Sequence, residues 1–208
     1  GNNRSFDIIV GNIATTEAAW RLRELGLDKF DAVKVGIGPG SLCSTRIVTG
    51  HGVPQVTAIQ EVVEAFQDTE IRVIADGGFK GSNDMVKALA LGANSVMTGS
   101  LLAGCDETPG EFTMRGKKLY KTYRGMASYD AMAATGRRRK TPEGLTEDVP
   151  AQGPVKGVLE YLLGGIESGY SYSGAQNICE LHRNADWMLV SHAAVIESQP
   201  HLSFWLER

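Results

Sequence analysis

The chain has 208 residues, 42% hydrophobic and 22% charged, with a formal net charge of −3, the balance of a globular domain able to bury a core. That charge excludes a basic field for nucleic acid or anionic lipid, no apolar run is long enough to cross a bilayer, and the opening residues lack the regions of a signal peptide. Three widely spaced cysteines, Cys43, Cys105 and Cys179, form neither a disulfide framework nor a zinc pattern, so a reducing, cytoplasmic setting is expected.

In chain order, residues 6–12 (FDIIVGN) are a short apolar, β-branched run ending in Gly-Asn, which predicts a buried strand. Residues 15–27 (TTEAAWRLRELGL) set Ala18, Ala19, Leu22 and Leu25 at helical spacing, with Thr15 or Thr16 as the cap and Gly26 near the stop. A second strand, residues 31–37 (DAVKVGI), runs into a glycine-rich loop, and residues 56–66 (VTAIQEVVEAF) predict a helix. A third strand (IRVIADGG, 71–78) precedes a helix (SNDMVKALALG, 82–92) with Ser82 as cap and Gly92 as stop. The fourth strand is NSVMTGS, residues 94–100. Alternating helices and apolar strands predict a parallel α/β architecture, doubly wound or barrel.

The remainder breaks that rhythm. Residues 114–132 (MRGKKLYKTYRGMASYDAM) read as a β-hairpin and a helix start, and residues 136–153 (GRRRKTPEGLTEDVPAQG) as a polar, proline-bearing loop. Residues 154–170 (PVKGVLEYLLGGIESGY) form an amphipathic helix, and residues 185–195 (ADWMLVSHAAV) a strand-like run. Each of the four early strands ends in a polar or glycine-rich turn: Gly11-Asn12, Gly36 to Gly40, Asp76-Gly77-Gly78 and Gly99-Ser100. Function is therefore expected on the face at the strands' carboxyl ends, where both α/β classes bind ligands.

The 25 glycines, about 12% of the chain against roughly 7% on average, cluster at these turns. Main-chain N–H groups at the Gly77-Gly78 and Gly99-Ser100 turns can converge on a phosphate, although either turn alone reads as a tight connection. Asp76, at a strand end, needs partners if buried: ribose hydroxyls are one reading, a cap on the next helix the other. A free cysteine is more often a small core residue than a nucleophile. Cys43, however, lies in a polar, glycine-rich loop on the functional face, where backbone dipoles and Arg46 favour a thiolate. Cys105 and Cys179 have no such setting. The Gly36/Gly38/Gly40 run also offers carbonyls to a monovalent cation.

VGIGPGSLCSTRIVTGHGVPQ, IADGG, VMTGSLLAG, ETPGE, YKTYRGMAS and PEGL…GPV…LLGGIESGYSYSGA, in this order, resemble the carboxyl-terminal half of the inosine monophosphate (IMP) dehydrogenases, with the guanosine monophosphate (GMP) reductases as sister enzymes. The resemblance implies the second half of a (β/α)8 TIM barrel, a single catalytic domain over residues 1–208 without a CBS module, and NAD-dependent oxidation of IMP. Carried over position by position, it makes Cys43 the nucleophile, with Gly38, Gly40 and Cys43 as carbonyl ligands of potassium. Glu197 and Ser198 would complete that cation site from a neighbouring subunit of a homotetramer. Ser41, Gly78, Gly99, Ser100 and Tyr123 would hold the phosphate and Asp76 the ribose. Met126, Ala127 and Glu143 would line the base, and Thr45 with Glu143 would relay a proton.

Three departures from the family accompany the match. The chain starts just before what would be the fifth barrel strand, so the first four would come from residues not in it or from another chain. The segment between Met132 and Pro142 is shorter than the dehydrogenase flap and lacks its Arg-Tyr pair; Arg137, Arg138 and Arg139 are the only candidate remnants. Ala127 stands where the family has glycine. The expectation is an IMP dehydrogenase, with a GMP reductase or a non-catalytic nucleotide-binding half barrel as alternatives.

Overall fold

The computed structural model describes residues 5–136 and 141–199. A four-stranded parallel sheet of order β1-β2-β3-β4 is made by Ile9–Ile13, Ala32–Val35, Arg72–Asp76 and Ser95–Met97. Register is direct, Val33 opposite Val73 and Ala75 opposite Val96, with a bulge at Asn12 in β1. Between the strands run α1 (Thr16–Leu25), the short α2 (Thr45–Thr49), α3 (Gln55–Phe66) and α4 (Ser82–Ala90). The apolar faces of α1, α3 and α4 meet Val33, Val35, Val73 and Ala75, building a core with Ala19, Ala58, Ile59, Val62, Phe66, Met85 and Leu162, whereas α2 buries no residue.

Strand alternation sends the next set of side chains to the opposite face. There Ile9 and Met97 stand 55% and 43% exposed. A parallel sheet ordinarily has both faces covered; this one is an open α/β sheet, helix-covered on one side.

Local chemistry explains the boundaries. Thr15 Oγ1 accepts the Ala18 N–H at 3.2 Å and starts α1, which Gly26 ends. Ser82, expected to cap α4, lies inside it. Gly81 takes the cap position, and the Asp84 carboxylate instead accepts the Lys80 N–H at 3.0 Å. Beyond β4, a 3-10 turn (Ser100–Leu102) leads to a second, antiparallel sheet of β5 (Phe112–Arg115), β6 (Lys118–Arg124) and β7 (Thr146–Pro150). β7 falls where the sequence reads as a loop. Polar cross-strand pairing makes it a strand: Thr122 donates to Asp148 at 2.9 Å, and Arg115 pairs with the same carboxylate. Lys121 of β6 is 1% exposed, its ammonium donating to the carbonyls of Cys105 (2.7 Å), Asp106 (3.0 Å) and Thr108.

Among the described residues three further helices follow α5 (Tyr129–Ala134): α6 (Val155–Tyr172), α7 (Ile178–Asn184) and α8 (His192–Glu197). The strand-like reading of residues 185–195 is corrected. Ser191 Oγ accepts the Ala194 N–H at 3.3 Å and opens α8, while no ladder partner pairs residues 187–190 among the described residues. α7 carries a signal that the sequence reading missed: Asn177 accepts from Glu180 N (3.0 Å) and Glu180 accepts from Gln176 N (2.8 Å), a reciprocal cap.

α7 packs on α4 through Leu181 and Leu89. Burial pushes the neighbouring His182 imidazole below its ordinary range, opposed by a backbone hydrogen bond to Leu89. A group whose folded value is lowered contributes stability that is present above its unfolded value and lost as pH falls through the folded one. Melting temperature should therefore drop more steeply from pH 7 towards pH 5 in the wild type than in His182→Gln. Parallel curves would remove His182 from the account.

Candidate active site

The four strand ends and the loops after them converge on one face. The exit from β2, residues 36–44, is held from below by Arg46, which donates through Nε to Ile37 O (3.2 Å) and through Nη2 to Val53 O (2.5 Å). Gly38 has φ +79° and lies so close over Arg46 that a Cβ would come within 2.6 Å of its Cγ. The guanidinium that the sequence suggested as a thiolate partner is thus engaged with loop carbonyls.

Above it Cys43 is exposed, and its Sγ donates to Thr45 Oγ1 at 3.1 Å. Thr45 Oγ1 in turn donates to Glu143 Oε2 at 3.0 Å. Three segments distant in sequence meet to build this row. Ser44 N donates to Glu143 O (2.9 Å), Leu145 N to Leu42 O (2.9 Å) and Glu143 N to Ala127 O (3.0 Å). Met126, 80% exposed, and half-buried Ala127 belong to the same knot. A thiol, a hydroxyl and a carboxylate in line can pass a proton from sulfur to carboxylate.

Cys105 differs in kind. It is fully buried, and burial pushes its thiol up, with the Glu107 and Asp106 charges adding to the effect. Iodoacetamide should therefore label Cys43 and Cys179, both exposed, in the native protein, and Cys105 only after unfolding. Native labelling of Cys105 at a comparable rate would contradict the packing described.

The glycine turns adjoin this loop. A Cβ on Gly78 would sit 3.2 Å from Pro39 Cβ, and one on Gly99 would sit 2.8 Å from the Tyr123 hydroxyl oxygen. The N–H groups of Ser41, Gly78, Gly99 and Ser100 donate to no group among the described residues. Asp76 does not cap the following helix. Its Oδ2 accepts from Asn12 Nδ2 at 2.9 Å and from the Lys34 ammonium. Both partners escaped the sequence reading, although a lone lysine within the apolar strand AVKV is a signal that a carboxylate lies near.

Glu197 and Ser198, expected to join the cation site from a neighbouring subunit, end α8 and are exposed. Among the described residues no group of three or more His, Cys, Asp or Glu side chains could hold a metal, and no helix is long and apolar enough to cross a membrane. The flap candidates Arg137, Arg138 and Arg139 lie outside the described residues.

A parallel α/β sheet with a cysteine loop and paired glycine turns at its carboxyl edge gathers its polar groups where α/β folds bind ligands. Comparison with known proteins gives the family. Residues 2–201 match the model of the IMP dehydrogenase / GMP reductase domain. Inosine-5'-monophosphate dehydrogenase of Helicobacter pylori (strain J99) is 47% identical over 205 residues, covering 94% of this chain and 42% of that protein. The Borreliella burgdorferi dehydrogenase is 46% identical, covering 95% of this chain and 51% of its own length. Among solved structures, a GMP reductase variant from Trypanosoma brucei in complex with guanosine 5'-monophosphate superimposes with a TM-score of 0.88 at 40% identity, over 95% of this chain and 41% of that one. The chain belongs to the IMP dehydrogenase / GMP reductase family, whose fold is the TIM barrel, and it spans about half or less of the length of these relatives.

Proposed function

We propose that the protein to which this chain belongs oxidises IMP to xanthosine monophosphate, with NAD as hydride acceptor and Cys43 as nucleophile. The observation that carries the reading is the Cys43–Thr45–Glu143 row, with bonds of 3.1 and 3.0 Å. Cys43 loses its proton through Thr45 to Glu143, and the thiolate adds to C2 of the purine. The hydrogen on C2 departs with its electron pair, leaving a C2–S bond. Glu143 releases the thiol's proton to solvent. Water then adds across C2=N3, one of its protons going to N3 and the other through Thr45 to Glu143, and the C2–S bond breaks to return the thiolate and leave a C2 carbonyl. NAD supplies the two-electron acceptor when bound. What this chain offers it is an apolar rim, Ile47 at 89% and Met126 at 80% exposure, on the segments flanking Cys43.

In this reading the free N–H groups at Ser41, Gly78, Gly99 and Ser100, with the Tyr123 hydroxyl, hold the phosphate. The Oδ1 of Asp76 takes the ribose hydroxyls, while Met126, Ala127 and Glu143 line the base. The carbonyls of Gly38, Gly40 and Cys43 form an all-oxygen set suited to a large, weakly hydrated cation such as potassium; Glu197 and Ser198 would join it from a second copy in a homotetramer. The chain itself supplies the second half of the barrel.

The likeness to the reductase structure favours a second reading, reduction of GMP by NADPH with release of ammonia. Assaying both pairs on the intact protein separates the readings. We expect NADH and xanthosine monophosphate from IMP with NAD. NADPH oxidation with GMP, and no reaction of IMP, would overturn the dehydrogenase. Inactivity on both, with nucleotide still bound, would mark a non-catalytic binding subunit.

A further inference from the structure

Gln55, the first residue of α3, makes two hydrogen bonds of unusual placement. Its Nε2 donates to Val35 O at 3.0 Å and to Asp76 O at 3.2 Å. These carbonyls terminate β2 and β3, the strands that feed the Cys43 loop and the Gly77-Gly78 turn. Two acceptors facing one gap cannot bond to each other, and the primary amide offers one N–H proton to each. The amide's orientation follows from its partners. Its own Oε1 is buried and has no hydrogen-bond partner among the described residues, so the side chain is placed for its donor end at the expense of its acceptor.

Each carbonyl belongs to a peptide unit whose other end is also held. The Val35–Gly36 unit donates its N–H to Ile13 O of β1 at 2.9 Å. The Asp76–Gly77 unit donates its N–H to Met97 O of β4 at 3.0 Å. A continuous hydrogen-bonded belt thus crosses the carboxyl ends of all four parallel strands, and Gln55 is its central link. Asn12, which donates to Gly36 O and to Asp76 Oδ2, both at 2.9 Å, runs alongside.

We propose that Gln55 is a positioning residue, setting the separation between the nucleophile loop and the turn that carries Asp76 and Gly78. It touches neither reacting atoms nor substrate. It acts by fixing two peptide planes at the point where β2 and β3 stop pairing. This role rests on the nucleotide site proposed above, but the belt can be measured without any turnover.

The experiment is amide hydrogen exchange on the intact protein, followed at Gly36 and Gly77. In the wild type both amides should exchange together, as slowly as the strand interior, although each opens a glycine loop. Gln55→Leu removes both donors, and Gln55→Glu sets a carboxylate against two carbonyls. Each should raise exchange at both sites by roughly tenfold or more at pH 8. Lowering the pH protonates the carboxyl introduced by Gln55→Glu, whose O–H can again donate. That O–H serves one of the two carbonyls, so after correction for intrinsic rates that variant alone should regain part of its protection, and kcat/KM for IMP should recover in part relative to wild type. Fast, independent exchange of Gly36 and Gly77 in the wild type would overturn the proposal, even if neither variant folds. So would a Gln55→Glu variant with no pH-dependent recovery. A wild type with the belt intact but no turnover of IMP would sink the functional reading and leave the strap standing.

Discussion

Replacing Cys43 with serine should reduce turnover of IMP by at least about 10³-fold, with IMP affinity changed by only a few-fold. The serine hydroxyl fits the same position beside Thr45 Oγ1, 3.1 Å from the native sulfur, so the row keeps its shape. Serine is neither acidic enough to ionise through a Thr–Glu relay nor as nucleophilic as a thiolate. Affinity is retained because the proposed phosphate and ribose contacts lie on other turns, apart from Ser41, whose backbone N–H the substitution leaves in place. Stopped-flow NADH formation with calorimetric IMP binding checks both halves. A serine variant turning over within tenfold of the wild type would remove covalent catalysis; a variant that cannot bind IMP would mean that Cys43 is part of the binding surface instead.

IMP should bind at least about 10³-fold more tightly than inosine. The N–H groups of Ser41, Gly78, Gly99 and Ser100 have no protein acceptor among the described residues. A phosphate can satisfy several of them at once, each charge-assisted bond contributing about 1.5 kcal/mol or more, so three such bonds give the stated ratio. Gly78 and Gly99 admit it because neither residue carries a side chain. A Cβ on Gly99 would meet the Tyr123 hydroxyl at 2.8 Å. Gly99→Val should erase most of the difference, measured by calorimetry with both ligands. Equal affinity for nucleoside and nucleotide in the wild type would dismantle the cradle.

The parallel α/β core was legible because its signals are local. The helical spacing of Ala18, Ala19, Leu22 and Leu25 and the apolar strands VKV and VIA needed only periodicity; Ala19 and Leu22 do join the core, whereas Leu25, at the end of α1, is 58% exposed. Cys43, Asp76, Gly78 and Gly99 lie at or just beyond the carboxyl ends of β2, β3 and β4, the face on which the sequence places function. What stayed hidden was long-range. Glu143 reaches Thr45 across 98 residues, and Lys34 reaches Asp76 across 42. No window of sequence records such pairs, although a charge inside an apolar strand marks where to look. β7 is hidden for a related reason: its sequence TEDVP gains strand character only from polar partners on β6 and β5. Serine favours the cap position, which pointed to Ser82, yet Asp84 supplies the acceptor from inside the helix. Arg46 shows the limit of reading charge from proximity in sequence. It lies three residues from Cys43, but carbonyls of Ile37 and Val53 claim its donors.

Peptide mass spectrometry after rapid acid quench of the intact protein with IMP and NAD tests the central claim most directly. The account predicts a purine nucleotide adduct on the peptide containing Cys43, formed only when both ligands are present and absent from the Cys43→Ser variant. Turnover with no adduct on Cys43 at any quench time, or equal adduct on Cys179, would contradict it.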